Sequence, residues 1–236
     1  MRGLFVTGTD TEIGKTRIAC AVLSAGRLAG WRMAPMKPIA AGAIRRASDG
    51  ALRNDDALAL VAASGADWDY ASINPYCFEP PISPHIAAAE AGVIVDLGKI
   101  VSAARNLATK SDCLVVEGAG GWFAPIGPAG SMAELAQALG LPILLVVGLR
   151  LGCLNHAMLS AQAIERSGLP MLGWAVSEID PNMSRRAENL ATLQAAFGCE
   201  PLLHLPYDPA GSADAELARS RSDAVRSALE SVWNKC

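Results

Sequence analysis

The sequence predicts an α/β fold in which helices cover both faces of a parallel β-sheet, formed as a single domain by residues 1–236. Short apolar segments alternate with longer segments of helical periodicity, which is typical of successive strand–helix units. Several of the short segments are apolar at nearly every position, as expected of strands that are buried on both faces. The chain contains no repeat of fixed period and no low-complexity linker, so one large domain accounts for its length.

The individual elements follow from these two patterns in chain order. Strands are predicted over residues 4–7, 33–39, 113–117, 143–147, 171–176 and 202–205. Helices are predicted over residues 15–29, 55–63, 97–108, 133–139, 156–167, 184–197 and 213–233. Residues 64–84 are rich in proline and are predicted to form a long irregular excursion. Because ligands of an open parallel sheet bind at the carboxyl ends of its strands, the loops that follow the strands hold the candidate site.

Composition and charge exclude several classes of protein. The chain is 51% apolar and 18% charged, which excludes a disordered chain, and its net charge of −3 gives no electrostatic reason for a nucleic-acid partner. The longest dense apolar run, residues 141–149, is far shorter than the about 20 residues of a membrane span. The six cysteines are widely spaced and the three histidines form no metal-spaced cluster. We therefore expect a cytoplasmic protein with reduced thiols and no membrane partner.

The loop after the first strand has the composition of a phosphate-binding site. Residues 8–16 read Gly-Thr-Asp-Thr-Glu-Ile-Gly-Lys-Thr and lie between a predicted strand and a predicted helix, as a P-loop requires. Backbone N–H groups would hold phosphate oxygens, Lys15 would reach the β- and γ-phosphates, and the Thr16 hydroxyl would ligate Mg²⁺. Five residues separate Gly8 from Gly14 where the usual pattern has four. An incidental Gly-Lys-Thr turn is the alternative.

Two acidic positions are candidate Mg²⁺ ligands, each with a simpler alternative. Glu117 ends an apolar strand and precedes a glycine-rich segment, so it can hold Mg²⁺ directly or through water, or it can be a solvated strand end. Asp56 lies in the first turn of a predicted helix, where acidic residues commonly serve as caps. Position alone favours the capping role for Asp56.

Lys37 is a second candidate cation for the same site. It ends the second predicted strand and is followed by Pro38. A lysine at the carboxyl end of a parallel strand would lie near the P-loop, where it could neutralise charge on a transferring phosphoryl group. The alternative is an ordinary lysine whose aliphatic stem covers apolar surface while its ammonium group reaches water.

Seven segments in order along residues 4–208 form a combined pattern that is more specific than any one of them. They are residues 8–16, Lys37-Pro38, residues 52–60, Asn74-Pro75-Tyr76, Ser83-Pro84-His85, residues 115–122 and residues 151–157. Together they resemble the dethiobiotin synthetase family, whose own P-loop has a similar five-residue spacing. A Gly-Lys-Thr triplet alone would not distinguish this family from other nucleotide-binding proteins.

The resemblance implies an ATP- and Mg²⁺-dependent reaction in biotin biosynthesis. One amine of 7,8-diaminopelargonic acid takes up CO₂ to give a carbamate, and a carbamate oxygen takes the γ-phosphoryl group of ATP. The second amine then attacks the mixed anhydride, which closes the ureido ring and releases phosphate. ADP is the other product. Bringing two anions together requires positioning and opposing charge, which Lys15, Lys37 and Mg²⁺ would supply.

The resemblance also implies roles for particular residues. Lys15 and Lys37 would be catalytic, and Thr16, Asp56 and Glu117 would surround Mg²⁺, which overrides the capping role for Asp56. The residues implied in substrate binding are Thr11, Lys37, Ala41, Gly152, Cys153, Leu154 and Asn155. Those implied in ATP binding are Glu12, Ile13, Gly14, Lys15, Thr16, Arg17, Asp56, Glu117, Gly118, Ala119, Gly120, Ser177, Glu178, Pro206, Tyr207 and Asp208.

The family is a homodimer in which the substrate tail reaches the partner subunit. Residues 152–155 resemble the turn that receives the tail carboxylate, and they precede a predicted helix whose first N–H groups would bind an anion. A plain helix N-cap by Asn155 is compatible with that role.

Three positions depart from the family pattern. Ala41 stands where the family usually has a serine that contacts substrate. Ser177-Glu178 stands where the family reads adenine with Asn-Asp, and a serine lacks the paired amide donor and acceptor that match adenine. Pro206-Tyr207-Asp208 resembles the other base-binding loop but has a different aromatic residue.

Two other classes of protein are compatible with a P-loop. A ParA- or MinD-like ATPase switch would carry an extra lysine early in the loop, where Asp10 stands, and a MinD-like protein also needs a basic C-terminal helix. The predicted helix 213–233 instead mixes acidic and basic residues. A nucleotide sensor that has lost catalysis is the third class, and the retention of Lys15, Lys37 and Glu117 argues against it.

Overall fold

The computed structural model describes residues 1–208, 223 and 225–231. The strands are β1 (Gly3–Gly8), β2 (Met33–Met36), β3 (Ile39–Ala40), β4 (Ile44–Arg45), β5 (Leu52–Arg53), β6 (Tyr76–Cys77), β7 (Cys113–Glu117), β8 (Pro125–Gly127), β9 (Gly130–Ser131), β10 (Ile143–Leu149), β11 (Met171–Glu178) and β12 (Leu203–Leu205). The helices are α1 (Lys15–Leu28), α2 (Asp55–Ser64), α3 (Tyr70–Ile73), α4 (Pro84–Glu90), α5 (Leu97–Ala108), α6 (Met132–Leu139), α7 (Cys153–Arg166) and α8 (Arg186–Phe197).

A six-stranded parallel sheet forms the centre of the fold, in the order β12-β11-β10-β1-β7-β2. Successive side chains of a strand point to opposite faces, so each inner strand contributes to two cores. In β1, Phe5 belongs to the core on one face, and Leu4 and Val6 belong to the core on the other. The near-continuous apolar composition of the strands follows from this burial on both sides. The predicted α/β class with a parallel sheet between helices is confirmed.

The element boundaries agree best where the sequence pattern is unambiguous. β7 and α5 have the predicted bounds, 113–117 and 97–108. The predicted strand 33–39 is wrong beyond Met36. Pro38 has no N–H group to donate to a ladder, so the chain leaves the main sheet, and residues 39–40 pair with β6 instead. The segment 64–84 is less irregular than predicted, because it contains α3 and β6.

Helix α7 starts three residues before its predicted beginning at His156. Gly152 is the N-cap, with a φ of 96° that favours glycine, and no side chain caps the helix. The expectation that Asn155 is the N-cap is therefore wrong, since Asn155 lies inside the first turn. The predicted helix 213–233 lies mostly outside the described residues. Within it, residues 225–231 are helical, and Val225 and Leu229 are buried.

Among the described residues, no helix is both long enough and apolar enough to cross a bilayer.

Candidate active site

The P-loop connects the central strand β1 to helix α1 at the carboxyl edge of the sheet. Thr9 N–H donates to Val146 O at 3.0 Å, which ties the start of the loop to the neighbouring strand β10. Gly14 is the N-cap of α1 and has a φ of 83°, a conformation that a side chain would strain. The first N–H groups of α1 have no partners within the helix, so they face the space where an anion would bind.

Ile13 anchors the loop from beneath. Its side chain is fully buried, and it fills space that glycines leave open on two adjacent strands. A Cβ on Gly8 would lie 2.6 Å from Ile13 Cδ1, and a Cβ on Gly148 would lie 2.6 Å from Ile13 Cβ. Both distances are shorter than any ordinary contact between carbon atoms. Ile13 can therefore pack this close to β1 and β10 only because positions 8 and 148 are glycines.

Lys15 is buried and bends back over its own loop. Its Nζ donates to Asp10 O at 2.6 Å, which crosses the loop from the helix side to the tip. Burial, together with repulsion by the Lys37 ammonium, lowers the pKa of Lys15 to about 8. Binding of an anion next to Lys15 would favour its charged form.

Four predicted site residues meet beside the P-loop, three of them from α1, α2 and β7 and the fourth from the residue that follows β2. Lys37 Nζ lies 2.7 Å from Glu117 Oε1 and 2.8 Å from Asp56 Oδ2. The Thr16 hydroxyl donates to Glu117 Oε1 at 2.8 Å. Lys37 and Glu117 are buried, whereas Asp56 is half-exposed. Glu117 is therefore not a solvated strand end, and the Lys37 ammonium does not extend into water.

In this cluster, pairing of opposite charges affects the pKa values of Lys37 and Asp56 more strongly than burial does. Burial alone would lower the pKa of Lys37, but the Glu117 and Asp56 carboxylates hold it above its ordinary value. Burial would raise the pKa of Asp56, but the Lys37 ammonium holds it below its ordinary value. Lys37 and Asp56 are thus charged at neutral pH. The second oxygen of Glu117, Oε2, is buried and has no hydrogen-bond partner among the described residues.

The glycine-rich segment after β7 passes next to the tip of the P-loop. A Cβ on Gly120 would lie 3.5 Å from Thr11 Oγ1, so these two residues face each other. Gly118 O accepts a long hydrogen bond of 3.4 Å from Lys37, and Ala119 N–H donates to Met132 Sδ. Glu12 is exposed at the loop tip with a φ of 57°, an uncommon conformation for a residue other than glycine.

Two asparagines that the sequence did not mark as site residues hold the backbone at Lys37 and in the segment that follows it. Asn74 Nδ2 donates to Lys37 O at 2.7 Å and to Tyr76 O at 3.1 Å. Asn54 caps helix α2, and its Nδ2 donates to Ala41 O at 3.2 Å. Asn54 therefore links the helix that carries Asp56 to the substrate position predicted at Ala41. No local signal in the sequence reveals these contacts, because both partners come from distant segments.

The end of β11 faces the first turn of α1. Ser177 is fully buried, and its Oγ has no hydrogen-bond partner in residues 1–208, 223 and 225–231. A Cβ on Gly14 would lie 2.3 Å from this oxygen. Glu178 points the other way and is fully engaged. Its carboxylate oxygens accept from Arg186 at 2.7 Å, lie 2.9 Å from His204 Nε2, and accept from Tyr207 N–H at 3.4 Å.

Residues 206–208 close this side of the site. The Arg17 guanidinium donates to Pro206 O at 3.4 Å, so the loop after β12 lies against the start of α1. Tyr207 is exposed and Asp208 is partly exposed. The predicted tail-binding residues 152–155 lie at the start of α7, and Arg150, which directly precedes that turn, forms an ion pair with Asp10 of the P-loop.

The fold and the site together define a P-loop nucleotide-binding protein. Its overall structure is similar to that of a ParA family ATPase from Chlorobium tepidum, with a TM-score of 0.55, 12% identity, and coverage of 97% of this chain and 99% of that one. It is also similar to the MinD cell division protein of Aquifex aeolicus, with a TM-score of 0.57, 12% identity, and coverage of 99% and 98%. At this identity the likeness concerns the fold alone.

Sequence relatives identify the family within that class. A family model described as an AAA domain matches residues 2–215. The ATP-dependent dethiobiotin synthetase BioD of Aromatoleum aromaticum is 47% identical over 93% of this chain and 96% of its own length. The enzyme of the same name from Pseudomonas paraeruginosa is 50% identical over 82% of this chain and 84% of its own length. The chain belongs to the ATP-dependent dethiobiotin synthetase family.

Proposed function

We propose that this protein converts 7,8-diaminopelargonic acid, CO₂ and ATP into dethiobiotin, ADP and phosphate, as a ligase of biotin biosynthesis. The observation that carries the proposal is the meeting of Lys37, Asp56, Glu117 and Thr16 beside the P-loop, in a chain whose relatives are dethiobiotin synthetases. Two buried lysines next to a phosphate loop suit a reaction that joins an anionic acceptor to a triphosphate.

The chemistry divides into three steps. An amine nitrogen attacks CO₂ and loses a proton, which gives a carbamate. A carbamate oxygen then attacks the γ-phosphorus, the bond to the β-phosphate oxygen breaks, and ADP leaves. Finally the second amine attacks the carbamoyl carbon, and the C–O bond to phosphate breaks as the ureido ring closes. The protein supplies position and opposing charge to anions that would otherwise repel each other.

Lys15 and Lys37 have distinct parts in this scheme. Lys15 would bind the terminal phosphates while the Asp10 carbonyl positions its ammonium group, and the phosphates would favour the charged form against the burial that lowers its pKa. Lys37 is already stabilised as a cation by Glu117 and Asp56, so it can face the carbamate at full charge. Thr11 and Ala41 would contact the substrate on the same side, with the Ala41 carbonyl fixed by Asn54.

The donor set around Glu117 fits Mg²⁺. Among residues 1–208, 223 and 225–231, no three His, Cys, Asp or Glu side chains cluster in a way that could hold a metal ion. Thr16, Asp56 and Glu117 offer hard oxygen atoms, and Glu117 Oε2 is buried with no hydrogen-bond partner in the described part of the chain. Mg²⁺ is usually held by one or two carboxylates together with substrate phosphates and water. When bound, it would neutralise charge on the phosphates as the phosphoryl group transfers.

The nucleotide would run from the P-loop toward the end of β11. Glu12, Ile13, Gly14 and Arg17 would surround the phosphates, with Gly118, Ala119 and Gly120 on the opposite side. Ser177, Glu178, Pro206, Tyr207 and Asp208 would lie at the base end. Because Arg186 and His204 already engage the Glu178 carboxylate, its contribution there is to hold the wall of the pocket.

We also propose that the protein is a cytoplasmic homodimer with a tail site shared across the interface. Leu151, Leu159 and Phe123 are 89%, 58% and 69% exposed, and Phe123 and Leu159 line a groove of about 490 Å³ beside α7. An apolar surface of this kind, next to the tail-binding residues 152–155, is suited to a second copy. Within the described part of the chain, no disulfide links Cys20, Cys77, Cys113, Cys153 or Cys199, which suits a reducing compartment.

Mass spectrometry tests the reaction directly. The purified protein is incubated with ATP, Mg²⁺, ¹³C-bicarbonate and 7,8-diaminopelargonic acid, and labelled dethiobiotin is the expected product. The label must depend on ATP and must be lost in Lys37→Ala. ATP hydrolysis without dethiobiotin would contradict the proposal and would favour a ParA- or MinD-like switch.

A further inference from the structure

We propose that Arg150 is a positioning residue that couples the phosphate loop to the tail-binding turn through its ion pair with Asp10. This inference rests on the proposed function, in which the phosphate loop binds ATP and the turn before α7 binds the tail of 7,8-diaminopelargonic acid. The Arg150 guanidinium contacts the Asp10 carboxylate across the carboxyl edge of the sheet.

Both residues lie on loops that leave adjacent parallel strands. Gly8, at the end of β1, pairs with Val146 in β10, so the loop after β1 and the loop after β10 start side by side. Asp10 follows β1 by two residues and Arg150 follows β10 by one. Their side chains bridge the space between the loops, and the ion pair adds to the backbone hydrogen bond from Thr9 to Val146.

Each residue of the ion pair also accepts a hydrogen bond at its backbone carbonyl within its own loop. Asp10 O accepts from Lys15 Nζ, so any displacement of Asp10 moves the carbonyl that positions the phosphate-binding lysine. Arg150 O accepts from Cys153 N–H at 3.0 Å, so Arg150 belongs to the turn that starts α7. A shift of the turn on binding the tail carboxylate is therefore transmitted through Arg150 and Asp10 to Lys15.

The ion pair also removes an electrostatic obstacle. Asp10 and Glu12 place two carboxylates on a loop that must enclose a polyanion. Arg150 neutralises Asp10, whose charge would otherwise repel the phosphates. The pair is half-exposed, with side-chain exposures of 44% and 43%, and pairs of that kind contribute little to overall stability. Its effect should accordingly appear in ligand binding and hardly at all in unfolding.

The test measures how strongly one substrate promotes binding of the other. The affinity of a non-hydrolysable ATP analogue with Mg²⁺ is determined by calorimetry with and without saturating 7,8-diaminopelargonic acid, and the ratio of the two dissociation constants is the coupling. Wild-type protein should show a ratio of about 5 or more, and Arg150→Gln and Asp10→Asn should each reduce it to about 1. The double variant should resemble the single variants, because all three lack the same interaction.

Arg226→Gln is a matched control. Arg226 pairs with Glu230 at similar side-chain exposures, 47% and 44%, on the last described helical segment, and the variant should keep the wild-type coupling. Equal coupling in wild-type, Arg150→Gln and Asp10→Asn proteins, or none in the wild type, would overturn the inference. If wild-type protein still makes labelled dethiobiotin in that case, the proposed function stands and only the coupling role of Arg150 fails.

Discussion

Lys37 and Glu117 form a buried ion pair at the ends of the adjacent parallel strands β2 and β7, with 2.7 Å between Nζ and Oε1. Met36, which precedes Lys37, pairs with Val116, which precedes Glu117, so the strand register itself brings the two side chains together. Each residue would serve a different substrate in the proposed reaction, Lys37 the carbamate and Glu117 the Mg²⁺ of the nucleotide. Their contact favours the charged form of Lys37 and holds both side chains in place inside the site.

Removing either buried lysine should abolish most of the activity without unfolding the protein. Lys15→Ala and Lys37→Ala are each expected to lower kcat by about 100-fold or more, because each removes a cation where two anions must meet. Initial rates of dethiobiotin formation give the result, and circular dichroism reports the fold. Lys99→Ala, which alters an exposed lysine stacked on Tyr76, is the control and should retain the wild-type rate. A loss of rate that always accompanies a loss of fold would refute the assigned roles.

Glu117→Gln should raise the Mg²⁺ concentration needed for activity. The amide keeps the shape of the carboxylate but carries no charge, so we expect the half-saturating Mg²⁺ concentration to increase about tenfold. A Mg²⁺ titration at saturating ATP measures this shift. Glu188→Gln changes an exposed partner of Arg185 and should leave the titration unchanged. If Glu117→Gln titrates like the wild type, Glu117 is not a metal ligand.

Nucleotide binding should take up protons at mildly alkaline pH. The pKa of Lys15 is about 8 in this structure, so the side chain is half neutral at pH 8 and mostly neutral at pH 9. Bound phosphates favour the charged form and raise its pKa, so affinity should fall as the pH rises above 8. Calorimetry in buffers of different ionisation enthalpy measures the proton uptake. The uptake should disappear in Lys15→Gln, and its persistence there would assign it to another group.

Gly14→Ala should be more destabilising than Gly30→Ala. Both glycines have a similar positive φ, 83° and 88°, so both substitutions carry the same backbone strain of about 1 kcal/mol. Only the Gly14 substitution also clashes, since its Cβ would lie 2.3 Å from Ser177 Oγ, whereas no atom of the described residues lies within 4 Å of a Cβ at Gly30. Chemical denaturation should show a difference of about 1–3 kcal/mol in the free energy of unfolding. Equal losses would mean that the P-loop moves away from β11 at no cost.

Leu159→Glu should separate the proposed dimer. A carboxylate in the middle of an apolar interface is costly to bury, so light scattering should report a monomer where the wild type is a dimer. Activity should fall at the same time, because the proposal places part of the tail site in the partner subunit. Ile94→Glu alters another exposed apolar residue, 73% exposed, and should leave the mass and the activity unchanged. A wild-type protein that is a stable and active monomer would contradict the shared site.

The fold could be predicted where local pattern alone determines structure. The strand at 113–117 is continuously apolar up to Glu117, and the helix 97–108 has clear periodicity after the capping residue Asp96. The start of α7 could not be predicted, because a left-handed glycine at position 152 is not a standard signal for a helix start. The end of β2 depends on Pro38, which has no backbone N–H group to donate. The apolar residues around Pro38 nevertheless predict a strand that continues to residue 39.

Sequence patterns indicate candidate site residues at the strand ends, but they do not indicate the contacts among those residues. The residues beside the P-loop follow from strand ends and from the family resemblance. Their pairing does not, because Lys37 and Glu117 are 80 residues apart and Asp10 and Arg150 are 140 apart. The bonds from Asn54 to Ala41 and from Asn74 to Lys37 likewise depend on chain segments that only the tertiary fold brings together.

The packing of Ile13 over Gly8 and Gly148 has a consequence for how this sequence can evolve. A methyl group at either glycine would overlap the Ile13 side chain, so no single step from glycine to alanine is open at those two positions while isoleucine remains. A smaller residue at position 13 would have to be accepted first, at the expense of a cavity beneath the loop. Substitutions at positions 8, 13 and 148 are therefore interdependent. A mutant library that randomises one of these positions at a time should yield folded proteins almost exclusively with the parental residues.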